Sequence, residues 1–173
     1  FTGLQAAGRV VKADYVIAAM GPGIAGTGTV YGFSGMEQGT VLQAAFALGG
    51  QAILVPRIGF ADSRQRHQGI SHHSLTVLTR AYLGPVWVPL PLLPGAKCKA
   101  IWDQARELPK RCRRRWLDGG YIEKIAERHP VLFSSMGHNY QQNPEFFQAL
   151  GAAARLAVYL DRSKIPLRRI AIK

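Results

Sequence analysis

The chain has 173 residues, with 22 basic against 10 acidic side chains and 47% hydrophobic content. That size and composition fit one globular domain with a real core, and no apolar run is long enough to span a bilayer. The net charge of +12 is uneven, +3 over residues 1–90 and +9 over residues 91–173, which attracts polyanions without specifying one.

Residue 1 is Phe, and a strand-like run begins soon after it, so the chain reads as lacking an N-terminal portion. Residues 13–20, Ala-Asp-Tyr-Val-Ile-Ala-Ala-Met, read as a strand buried on both faces. The glycine-rich stretch Gly21-Pro-Gly-Ile-Ala-Gly-Thr-Gly-Thr29 comes next. Ser34 and Glu37 have capping-box spacing and predict a helix to Leu48, stopped by Gly49-Gly50. Residues 51–60 read as a second strand, bulged or ended at Pro56. Ser71 or Ser74 can cap a helix reaching Leu83, and residues 86–88 form a third strand.

Further on, residues 96–108 are predicted helical, ended by Pro109, and residues 110–117 stay open between strand and loop. Residues 121–128 have helical spacing, and residues 131–136 read as a fourth strand. Asn143-Pro144 starts a helix running to Leu160. The sequence thus predicts a single α/β domain over residues 1–160, with a basic tail over residues 161–173. Alternating strands and helices predict a mainly parallel sheet with helices on both faces, a Rossmann-like three-layer arrangement.

In such a sheet, ligands bind outside the carboxyl ends of the strands. Loops 21–29, 62–71 and 137–143 would meet there. Gly21-x-Gly23-x-x-Gly26 satisfies the dinucleotide pattern in letters, but Pro22 interrupts it and the helix begins late. The P-loop ending Gly-Lys-Ser/Thr is missing. The backbone N–H groups of Gly21, Gly23, Gly26 and Gly28, with the hydroxyls of Thr27 and Thr29, form the predicted anion cradle. Ser34 lacks the final glycine of a nucleophile elbow, and capping already explains it.

The stretch Asp62-Ser-Arg-Gln-Arg-His-Gln-Gly-Ile-Ser-His-His73 carries the densest chemistry. Arg64 and Arg66 suit an anionic substrate, His67 or His72 suits proton transfer, and Asp62 would orient an imidazole. Three imidazoles and a carboxylate are metal-ligand types. However, the spacing is not His-x-x-x-His, and the adjacent His72 and His73 would diverge by about a quarter-turn on a helix. No metal ligands are therefore assigned. Cys98 and Cys112 lack CxxC spacing and read as reduced thiols. The run Lys110-Arg-Cys-Arg-Arg-Arg115 is expected to be solvent-exposed, since buried cations need matching carboxylates. Trp87, Trp102 and Trp116 read as packing residues.

The stretches Gly-Pro-Gly-Ile-Ala-Gly-Thr-Gly-Thr, Gly-Phe-Ser-Gly-Met-Glu-Gln-Gly and Ile-Gly-Phe-Ala-Asp-Ser-Arg-Gln-Arg-His-Gln-Gly-Ile-Ser-His-His-Ser resemble a family of uncharacterised bacterial proteins, classed as a domain of unknown function. The resemblance covers residues 13–154 and implies a bacterial, cytoplasmic protein, with no activity attached. From the residues themselves, the expected function is binding of a small phosphate- or carboxylate-bearing ligand at the glycine loop, with turnover left open and no cofactor identified. The alternative is a non-enzymatic module that meets nucleic acid or an acidic protein through the basic second half.

Overall fold

The computed structural model describes residues 1–20 and 23–162. Its helices are α1 (Thr2–Arg9), α2 (Glu37–Ala47), α3 (His72–Thr76), α4 (Gly95–Arg106), α5 (Ile122–Arg128) and α6 (Pro144–Arg162). Its strands are β1 (Ile58–Gly59), β2 (Gly69–Ile70), β3 (Val86–Pro91), β4 (Cys112–Leu117), β5 (Ser134–Ser135) and β6 (His138–Asn139). The predicted tail residues 163–173 and the predicted ligand residue Gly21 lie outside the described residues.

All six residues of β3 are buried. β3 pairs in parallel with β4, from Val86 opposite Cys112 to Pro91 opposite Leu117. The connection between them runs through α4, which makes one βαβ unit. Residue types explain the burial: Val86, Val88 and Leu90 face a core shared with Leu54, Ile58, Leu78 and Ile101. Helix α6 packs on β3, where Leu156 and Leu160 meet Trp87.

The expected Rossmann-like three-layer sheet is not formed among the described residues. Their sheets have two strands each, one parallel pair and two antiparallel pairs. Proline chemistry explains why the parallel pair does not widen. Successive residues of a strand turn their N–H groups to opposite sides. Val86 and Leu92 donate to Arg111 and Leu117 on the β4 side, at 3.1 and 3.0 Å. Trp87 donates the other way, to the Ala52 carbonyl at 2.9 Å, and Leu54 returns a bond to Trp87 at 3.0 Å. The next residues on that side are Pro89 and Pro91, which have no N–H to give. The predicted second strand is therefore reduced to one parallel bridge, Ile53 with Trp87, and it is broken at Pro56 before β1 begins.

Two more predicted strands are corrected. Residues 13–20 are not in a strand, and Tyr15, Val16 and Ile17 are exposed, Ile17 by 93%. No partner strand lies beside them among the described residues, so their apolar character is not matched by burial. In the predicted fourth strand, Pro130 opens a short 3-10 turn over Pro130–Leu132 and leaves Val131 and Leu132 exposed. The chain then enters the β5–β6 hairpin, with Met136 and Gly137 both at positive φ, as a tight two-residue turn requires.

Several helix expectations hold. Gly49 sits at φ 78°, and Gly50 and Gly49 donate back to Ala45 and Phe46, which is the Schellman stop of α2. The capping box does not form. A 3-10 turn, Ser34–Met36, precedes α2, and the Ser34 hydroxyl accepts from Ala25 N–H instead. The basic run 110–115 is exposed at Arg113, Arg114 and Arg115, but it belongs to the paired strand β4. No helix among the described residues is long and apolar enough to cross a membrane.

One close approach fixes the end of β4 against α6. A Cβ added at Gly119 would collide with the Gln148 carbonyl oxygen, and one at Gly151 would lie 2.6 Å from the Gly119 oxygen. Gly119→Ala and Gly151→Ala are each expected to destabilise by about 1–3 kcal/mol through overpacking. Gly3→Ala has open space within 4 Å and should be neutral or stabilising by up to about 1 kcal/mol. Equal denaturation midpoints for all three variants would refute this packing.

Candidate functional site

The histidine segment is held by a hairpin, not by the carboxyl edge of a parallel sheet. β1 and β2 pair antiparallel, with Ile58 opposite Ile70 and Gly59 opposite Gly69, and both isoleucines are fully buried. The pairing extends outward: Ser71 N–H donates to the Arg57 carbonyl at 2.9 Å, and Arg57 N–H donates to the Ser74 hydroxyl at 2.9 Å. Gln104 on α4 clamps the hairpin. Its Oε1 accepts from Ile70 N–H at 2.7 Å and its Nε2 donates to the Gln68 carbonyl at 3.0 Å. Gln68 in turn donates to the Asp62 carbonyl.

His67 ends a 3-10 turn inside this hairpin and is buried. His72 and His73 are the first two residues of α3. The three rings touch: centroids are 4.0 Å apart for His72–His73, 4.8 Å for His67–His72 and 5.4 Å for His67–His73. One ring nitrogen from each lies within 4.8 Å of the others. The expected divergence of His72 and His73 does not occur. Side chains in the first turn of a helix have no preceding turn to crowd them, so their rotamers are less confined.

Each ring has a different support. His67 Nδ1 lies 3.1 Å from the Ser71 hydroxyl. His73 stacks on Phe33 at 4.4 Å. His72 Nε2 is buried with no hydrogen-bond partner among the described residues, an arrangement that costs about 1–3 kcal/mol. Burial lowers the pKa of all three imidazoles, and the positive charges of Arg57, Arg64 and Arg66 act in the same direction. His73 is pushed down to about 4. Burial thus disfavours the charged form of all three rings.

Asp62 is occupied by Arg64. Its carboxylate accepts from Arg64 N–H at 3.0 Å, Nε at 2.9 Å and Nη2 at 2.7 Å. These bonds hold its pKa well below the usual carboxylate range. The group at hydrogen-bonding distance from His67 is Ser71. Arg66 is exposed, and the Arg57 guanidinium lies 5.9 Å from the Phe146 ring.

The glycine stretch adjoins the cluster through Phe33. Gly26 pairs antiparallel with Phe33, the residue that stacks on His73. Thr27 N–H donates to the Gly32 carbonyl at 2.7 Å, and the Thr27 hydroxyl reaches the same oxygen at 3.3 Å and Thr29 Oγ1 at 3.1 Å. The stretch is thus a turn closed on itself, with Gly23 and Gly28 at positive φ. The supporting roles of Ser71, Gln104 and Phe33 escape a reading of the sequence, since no motif marks a residue that holds a ring in place. Two surface grooves, of about 380 and 240 Å³, are lined by Phe1, Val16 and Ile17 and by Phe133 and Tyr140 respectively, and contain none of these histidines.

The exposed cations of the basic strand each rest against the fold. Arg113 and Arg115 lie over the Trp87 ring at 5.3 and 5.5 Å, and Arg114 donates to the Ala105 carbonyl at 2.8 Å. Arg111 donates to the carbonyls of Leu78, Thr79 and Tyr82. Cys98 and Cys112 are free, and burial raises the Cys112 pKa.

A hairpin and the helix start that follows it thus bring three touching imidazoles beside a glycine turn. The chain belongs to the family described as protein of unknown function (DUF3866), whose pattern matches residues 1–154. No curated protein and no solved structure matches the chain.

Gln104→Ala would leave Ile70 N–H and the Gln68 carbonyl unpaired, at about 1–3 kcal/mol for each buried group. Hydrogen exchange should accelerate at Ile70 and Ser71 and stay unchanged at Val88 in β3. Unchanged exchange at Ile70 would remove Gln104 from the support of the hairpin.

Proposed function

We propose that the protein binds a small phosphate- or carboxylate-bearing ligand where the turn over residues 25–34 meets His67, His72 and His73. The observation that carries this reading is the juxtaposition of turn and cluster: Phe33, which pairs with Gly26, stacks on His73 at 4.4 Å. Arg57, Arg64 and Arg66 are near enough for their charges to act on the imidazoles, so an anion placed there gains attraction. Arg64 is already paired with Asp62, which leaves Arg66 and Arg57 to contact the anion. Exposed backbone at Gly23, Gly26 and Gly28, with Thr27 and Thr29 beside it, forms the second wall. If the ligand is turned over, His67 or His72 serves as the base, since a neutral imidazole accepts a proton at pH 7. The second reading, contact with a polyanion through β4, has Arg113, Arg114 and Arg115 exposed for it, but no specific observation beyond charge favours it.

Thermal unfolding of the full-length protein against inorganic phosphate, nucleotides, sugar phosphates and carboxylates tests this. A true ligand at a hundred times its Kd should stabilise by about 2.7 kcal/mol, and Arg66→Gln should shrink that shift without altering the melting point of the unliganded protein. No stabilisation by any anion class, or a shift untouched by Arg66→Gln, overturns the assignment. Salt-steep binding to DNA, lost on neutralising Arg113 to Arg115, would move the function to that strand.

A further inference from the structure

We infer that His67, His72 and His73 form a site for one first-row divalent metal ion of the zinc type, with one coordination position left open. This goes beyond anion binding at the same wall and does not depend on it; with the ion bound, His67 and His72 are ligands and no longer serve as bases. The first support is geometric. Three imidazoles supply ring nitrogens within 4.8 Å of one another. Around a tetrahedral ion with Zn–N near 2.0–2.1 Å, ligand nitrogens sit about 3.3 Å apart. The rings therefore need to converge by no more than about 1.5 Å, a distance that small side-chain rotations can cover. All three side chains are tethered through one short stretch of chain, the β1–β2 hairpin and the first turn of α3.

The second support is the buried Nε2 of His72, which has no hydrogen-bond partner among the described residues. Buried polar atoms in folded proteins are almost always satisfied, and a bound ion is one of the few explanations for an orphan. The third is the outer shell. The Ser71 hydroxyl, 3.1 Å from His67 Nδ1, can accept the proton of that nitrogen, which leaves Nε2 with the free lone pair. That is how metal-bound histidines are oriented. Phe33 fixes the plane of the His73 ring by stacking at 4.4 Å.

Ligand chemistry sets the class of metal. Imidazole nitrogens select zinc, cobalt, nickel or copper over magnesium and calcium, which prefer oxygen. Asp62, the nearby carboxylate, is committed to Arg64 by three hydrogen bonds and does not supply a fourth ligand. Three protein ligands with an open position are the arrangement of reactive rather than purely structural zinc sites. Neutral ligands leave the full charge of the ion uncompensated. Together with Arg57 and Arg66, that charge favours an anion or hydroxide at the fourth position.

The test uses tag-free, full-length protein freed of metal by chelation. Titration with Zn²⁺ should reach one ion per chain, and Co²⁺ should give the visible absorption of a low-coordinate nitrogen-bound ion. His72→Ala and His73→Ala should each weaken Zn²⁺ binding by more than the tenfold to hundredfold loss, roughly, that accompanies removal of an outer-shell partner, the loss expected for Ser71→Ala. His129→Ala and His138→Ala should bind as the parent does. A direct measurement on the parent protein guards against variants that fail to fold. Co²⁺ should broaden the ring-proton resonances of His67, His72 and His73 and leave those of His129 and His138 sharp. Substoichiometric Zn²⁺ binding, parent-like affinity in folded His72→Ala, or broadening confined to His129 or His138 would overturn the site. Anion-induced thermal shifts in the chelated protein are read separately, so loss of the metal site and loss of the anion reading are distinct results.

Discussion

The fold turns on two missing hydrogen-bond donors. Pro89 and Pro91 lie on the side of β3 that faces the chain around Ile53, where a third parallel strand would have to pair. Without N–H groups there, the ladder stops after Trp87. A buried strand still has to cover both faces, and it does so with helices and loops: α6 on β3, α4 across the βαβ connection, and the β1–β2 hairpin against α4. The side chains that would line the mouth of a wide sheet in a doubly wound protein are here gathered by local structure instead.

That change of architecture governs the site. Three histidines meet because a hairpin returns the chain from Ile58 to Ile70 and a helix starts immediately afterwards. Gln104 ties this arrangement to α4 through two main-chain groups at 2.7 and 3.0 Å. A single amide can do so because its carbonyl and its NH₂ serve one acceptor and one donor role at once. The consequence is that the site is coupled to the helix more than to the sheet. Disturbance of α4 should be felt at Ser71 sooner than disturbance of the β3–β4 ladder.

Sequence patterns resolve the parts of the fold that depend on local rules. The stop of α2 at Gly49-Gly50, the helix from Pro144, the strand at Val86 and the helix over Ile122–Arg128 are set by glycine, proline and apolar spacing read over a few residues. The parts that patterns miss depend on partners remote in sequence. Residues 13–20 have the apolar character of a buried strand, but pairing requires a neighbour, and composition does not reveal whether one exists. The sheet width is encoded in Pro56, Pro89 and Pro91, yet reading it requires knowing which side of β3 each N–H faces. The histidine segment stands out by density alone. A shared sheet edge predicts its contact with the glycine turn, and that contact arises from Phe33 instead, a residue whose stacking role has no sequence signature. Ser71 has the position of a helix cap, and its hydroxyl sits against His67.

The glycine turn then acquires a purpose that its letters do not suggest. Gly32 has no Cβ because the hydroxyls of Thr27 and Thr29 occupy the space where one would stand. Gly35 has none because the Phe33 ring edge would lie 2.9 and 3.0 Å from it. These two absences allow the turn to close tightly and the ring to lie down beside it. The ring in turn holds His73 in place at 4.4 Å. Threonines and glycines that resemble a phosphate cradle thus do a prior mechanical task, which is to set one wall of the imidazole cluster. Bulk added at Gly35 would press on Phe33 and through it on His73 before it reached any ligand, so the geometry of the histidines, and not only the charge of the arginines, depends on this turn.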